Sequence, residues 1–192
     1  MSNRKKPKKG PGPNRHEHEH DLGDGETAVW IRSVPAGKTF IAVLESTDDS
    51  SLPLTFETSA AYAQSILAAV ARAEYDAIVL RQLSDKLKLD LQTAGQMVGD
   101  LRADRPPAVS SFPLRLKPGV NSKKEPFLTV EINGEDVGQW DLEAARKHAL
   151  AALEAPYVAD LDAGYLRALI GVVGVEEHVA RNVVADLEVH RG

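Results

Sequence analysis

Apolar and polar positions change rhythm several times along this chain of 192 residues. Val29-Trp30-Ile31-Arg32-Ser33-Val34 is β-prone and runs into a Pro35-Ala36-Gly37 turn, after which Thr39 to Glu45 reads as a second strand. Leu52 to Phe56 predicts a third, short strand, and Pro53, with no N–H to donate, places it at a sheet edge. From about Thr58 the period becomes helical. Ile66, Val70, Ala73, Ala77, Leu80 and Leu83 recur at helical spacing, with Thr58 or Glu57 available to cap the start. A break is expected between Lys86 and Asp90, where Asp90 caps a last helix carrying Leu91, Ala94, Met97, Val98 and Leu101.

The same order follows again. Phe112 to Leu116 predicts a strand, and Phe127 to Ile132 a second one with Leu128, Val130 and Ile132 on one face. Asn133-Gly134 tolerates positive φ at both positions, so Glu135 to Trp140 should return antiparallel. Asp141 caps a helix with Leu142, Ala145, Ala149 and Leu153 on its apolar side. A kink or break is expected at Ala155-Pro156, followed by helices over 160–170 and 176–187 separated by Gly171 and Gly174.

The two passages also share residues. Shifted by 86 positions, Asp76 to Leu101 lies without a gap on Asp162 to Leu187, with nine identities in twenty-six positions, where chance in an Ala/Leu-rich chain gives roughly two or three. Upstream the echo continues with small gaps. Phe56 to Ala61 falls on Trp140 to Ala145, Ile66 to Val70 on Ala149 to Leu153, and Phe40 to Val43 on Phe127 to Val130. On that alignment Ala155-Pro156 sits in a three-residue insertion. The expectation is an α+β protein made by tandem duplication of a β-β-β-α-α-α unit, with small antiparallel sheets carrying helices on one face. The expected parts are a tail, 1–25; a first unit, 26–105; a linker, 106–111; and a second unit, 112–192.

Composition narrows the chemistry. With 43% apolar residues the chain can bury a core, but only 5% are aromatic, so Ala, Leu and Val must fill it. The absence of cysteine excludes disulfides, thiolate catalysis and Cys-based metal sites, and suits a cytoplasmic setting. No apolar run is long enough to span a bilayer, so no membrane association is expected. The net charge is −5, yet residues 1–25 hold six Lys/Arg against four Asp/Glu, so the only dense basic run is the tail. That tail is expected to be disordered, because it offers almost nothing apolar to bury.

Candidate chemistry concentrates in the tail. Arg4, Lys5, Lys6, Lys8, Lys9 and Arg15 could bind phosphates of a nucleic acid by releasing counterions, although so short a run also serves as a solubilising tail. His16, His18 and His20, alternating with Glu17, Glu19 and Asp21, could loosely chelate a metal, but a tail lacks a fixed second shell and no cofactor is expected. Elsewhere the motifs fail on context. Gly37-Lys38-Thr39 lacks the earlier glycine of a phosphate loop and enters a strand, and Gly171-Val172-Val173-Gly174 lies between helices. His148, His178 and His190 are scattered and expected at the surface. The shared charges Asp76/Asp162, Arg81/Arg167 and Asp100/Asp186 are expected to cap helices or tie one helix to another.

The closing helices of each unit have helix-turn-helix spacing, but Glu176 and Glu177 at the second entry point oppose DNA phosphates. The stretches Ala73-Glu74-Tyr75-Asp76-Ala77 with 100–105, and 161–169 with 186–191, resemble uncharacterised proteins of actinobacteria and their phages. This resemblance covers both units and implies a phage or mobile-element setting, but no activity, substrate or catalytic residue. The expected function is therefore a non-catalytic interaction or adaptor protein with a protein partner or a second copy of itself. Trp30 and Trp140 are its candidate contact residues, because tryptophan is enriched at binding hot spots, with a place in the core as the equal alternative for both. The alternative is a nucleic-acid accessory protein acting through the tail and the closing helices.

Overall fold

The structure, a computed structural model, describes residues 29–46, 51–105, 114–132 and 134–189. The fold is α+β, with two antiparallel three-stranded sheets and four α-helices among the described residues. Strands β1 (Val29–Ala36), β2 (Thr39–Ser46) and β3 (Ser51–Leu54) form the first sheet in sequence order. Strands β4 (Leu114–Val120), β5 (Pro126–Ile132) and β6 (Glu135–Trp140) form the second. Both are meanders, as their short polar connections require. Gly37 and Gly134 take the positive φ their turns need. Pro53 does lie on an edge strand, opposite Val43. The first strand of the second sheet reaches Val120 rather than ending at Leu116, because Pro118 and Gly119 are accommodated opposite Leu128 and Phe127.

Each sheet is followed by two α-helices, because the first two of the three expected helices run together, an alternative the sequence left open for the first copy but not for the second. Helix α1 (Phe56–Arg81) runs unbroken from its cap. That cap is Thr55, not Thr58 or Glu57: Thr58 N–H donates to Thr55 Oγ1 at 3.1 Å while Thr55 N–H donates to Thr58 Oγ1 at 2.8 Å. Helix α3 (Leu142–Ala168) starts where expected, Asp141 Oδ1 accepting from Ala144 N–H at 2.7 Å. It then continues through Pro156 without the expected break. An interior proline costs a helix about 3 kcal/mol. Here its ring is buried with Ala152, Ala155 and Ala159 on the side facing the sheets, so packing holds the helix together. Both long helices end in a widened π turn, at 82–86 and 169–173. A positive-φ residue then redirects the chain, Lys88 in one case and Gly174 in the other. Helix α2 (Leu91–Ala103) is capped by Asp90 as expected, and α4 (Glu177–Val189) closes the described chain.

The long helices exchange sheets. α3 packs against β1 and β2, α1 packs against β4 and β5, and the helices also pack against each other. One main core results, joining Phe40, Leu44 and Tyr62 to Leu128, Val130 and Trp140. A smaller cluster of Leu80, Ala94 and Val98 holds α2, with Leu83 and Val120 against it. Leu80 and Leu166 are both buried, as are Val98 and Val184.

Candidate interaction surface

The basic residues Arg4, Lys5, Lys6, Lys8, Lys9 and Arg15 and the histidines His16, His18 and His20 lie outside the described residues. Of the two candidate tryptophans, Trp30 is half-buried on β1, with its indole N–H donating to Glu45 Oε2 at 2.9 Å. Trp140 is only 3% exposed, so it serves the core and not a contact surface. The period-two alternation of β6 turns it inward, opposite Leu128.

His148 is likewise interior, against the expectation of a surface residue. Its Nε2 lies 2.9 Å from the Tyr62 hydroxyl, and its ring stands 4.9 Å from that of Trp140. Its neighbour Lys147 is exposed, but His148 falls on the same helical face as Ala145 and Ala152. Burial pushes the Tyr62 hydroxyl well above the usual tyrosine range, so it stays protonated and able to donate. The small apolar cleft between the sheet ends, of about 100 Å³, is lined by Val29, Leu44, Leu114 and Ile132, with Glu45 as its ionisable group. That is below the few hundred Å³ typical of a ligand site.

Charged groups are consumed by structure. Asp76 is fully buried and accepts from Arg102 Nε and an Arg105 guanidinium N–H, both at 2.6 Å. It therefore ties α1 to α2, while Arg81 lies exposed. The outer faces of the sheets carry charge as well: Arg32 pairs with Glu45 on the first, and Lys117 bridges Glu131 and Asp136 on the second. Those two carboxylates hold the Lys117 ammonium above the usual lysine range. At the α2 entry, Thr93 is occupied by Asp90, whose carboxyl the Thr93 hydroxyl and N–H hold below the usual range. At α4, Glu177 pairs with Arg181. The first turn of α2, Leu91 to Ala94, holds no basic side chain, and at the start of α4 both His178 and Arg181 lie against glutamates. No group of three or more His, Asp or Glu side chains suited to a metal occurs among the described residues.

The outer side of the long helices is different. On α3, Leu150, Leu153, Tyr157 and Leu161 recur at helical spacing, opposite the buried line through His148, Ala152, Ala155 and Ala159. On α1, Leu67, Ala71, Tyr75 and Ile78 do the same. Phe56 at the start of α1 meets Tyr157 edge-on at 4.8 Å, which joins the two stripes. Both helices are thus apolar on two sides, a pattern normally found where both sides are covered. Sequence periodicity did not single out this face: Leu153, expected on the core side with Leu142, Ala145 and Ala149, is 38% exposed. No helix among the described residues is long and apolar enough to cross a membrane. Comparison with protein-family models, with curated proteins and with solved structures finds no match.

Proposed function

We propose that this chain is a non-catalytic interaction or adaptor protein built by tandem duplication of one β-β-β-α-α unit. The offset of 86 supports duplication beyond the identities. It carries the sheet pair Ala42–Leu54 onto Leu128–Trp140, the cap Thr55 onto Asp141, and the positive-φ residue Lys88 onto Gly174. It also carries the buried positions of α1 from Ser59 to Leu80 onto those of α3 from Ala145 to Leu166. The helical register therefore favours a gapless alignment, without the three-residue insertion at Ala155-Pro156.

The observation that carries the functional reading is the exposed apolar face that both long helices present at matching positions, Leu67 with Leu153 and Tyr75 with Leu161. Large contiguous apolar patches on a folded surface mark contact sites. Duplication doubles such a surface without a new fold, and two linked weak sites gain avidity when one partner spans them. The partner is a protein, because the sheet charges are internally paired and the apolar face has nothing to attract phosphate.

Chemical cross-linking in a lysate of the native host tests this. Lys147 lies beside Leu150, so cross-links from Lys147 to another polypeptide chain are expected, and Tyr157→Lys should remove them. A purified chain that turns over a small molecule, with no cross-links from Lys147, would sink the proposal.

A further inference from the structure

We infer that the occupant of the α1–α3 face is a second copy of this chain, packed helix pair on helix pair. The inference rests on the proposed contact function and names the partner. Its first support is area. The large side chains on the face, among them Leu67, Tyr75, Leu153, Tyr157 and Leu161, are each 38% to 64% exposed. Aromatic side chains carry roughly 150–250 Å² each, and leucine and isoleucine somewhat less. Half-exposed as they are, together with Phe56, Ile78, Leu150 and Tyr165, they supply on the order of 800 Å², the share of one partner in a standard interface.

The second support is the character of the face. Two ion pairs on its outward side close within the chain, Arg146 with Glu74 at 2.6 Å and Lys147 with Glu143 at 3.0 Å, and Glu57, Glu154 and Asp160 are exposed at its flanks. A stripe dominated by Leu and Tyr resembles the apolar interfaces of homodimers more than the polar ones of transient complexes. A two-fold contact needs only that the patch match itself, and a stripe of Leu and Tyr interspersed with Ala71 and Gly164 can interdigitate with its own copy. The outer sheet faces give the contrast, since they carry the ion pairs of Arg32 with Glu45 and of Lys117 with Glu131 and Asp136.

Sedimentation equilibrium of the full chain over a range up to about 100 μM tests this. The wild type should be a dimer. Tyr157→Lys and Leu161→Glu, both at exposed positions, should weaken dimerisation by roughly a hundredfold with an unchanged far-ultraviolet CD spectrum. Ile41→Lys, an exposed apolar residue on β2 away from this face, should leave the dimer intact. A wild type that stays monomeric overturns the inference, as does a dimer that resists both helix-face variants. A monomer whose Lys147 cross-links to a different protein overturns the second copy alone and leaves the contact function standing.

Discussion

Tyr62 and His148 meet where the two long helices cross, and their hydrogen bond is sealed from water. Because burial raises the Tyr62 pKa, the folded state keeps its proton where the unfolded chain begins to lose it. Its contribution is therefore intact below the ordinary value of 10.0 and declines as pH rises beyond it. Urea titrations between neutral pH and about pH 11 should show wild-type stability falling at the alkaline end, and Tyr62→Phe should flatten that fall. At neutral pH the same variant should cost about 1 kcal/mol, since it leaves a buried imidazole nitrogen without this partner. Equal alkaline slopes would mean that water reaches the hydroxyl. A second residue-scale case is Gly119, opposite Phe127 in the β4–β5 ladder. A Cβ at Gly119 would overlap the Phe127 ring, so Gly119→Ala should cost about 1–3 kcal/mol by thermal unfolding. The pair Pro118-Gly119 looks like a strand breaker in sequence, which is why the expected strand stopped short; only the partner ring explains the glycine.

At the scale of elements, most of the fold was legible because each element carries its own punctuation. The caps at Asp90 and Asp141 and the turns at Gly37 and Gly134 lie where local chemistry places them. The failures were tertiary. Pro156 forecasts a break only if the helix stands alone, and α3 is held on two sheet strands. Asp76 was expected to cap a helix or tie one helix to another, but its partners were not legible, since Arg102 and Arg105 are more than twenty residues away in sequence. These two arginines and the small Leu80–Ala94–Val98 cluster are the main attachment of α2. Asp76→Ala should therefore act locally. Allowing for the partial exposure of both arginines, the loss should be on the order of 2 kcal/mol. Hydrogen exchange should quicken across α2 while α3 and β5 keep their protection. Uniform loss across all elements would show that α2 is integral to the main core.

At the scale of the whole molecule, the exchange of helices was invisible in sequence. Periodicity states which face of α1 is buried, but not whether its own sheet or the other one covers it. The consequence is that neither half holds a complete core. Residues 1–105 alone would leave the inner faces of β1 and β2 without α3, and residues 106–192 would leave β4 and β5 without α1. Units of this size are marginal even with their cores closed. Each half expressed separately should therefore give a CD spectrum with little cooperative unfolding, or associate to cover the bare sheet with another copy's helix. Mixing the two halves should restore the spectrum and the single unfolding transition of the intact chain. The Tyr62–His148 contact joins the halves directly, so Tyr62→Ala in one fragment should weaken that reassociation. A half that is monomeric, cooperatively folded and indifferent to its counterpart would contradict the interlocked core.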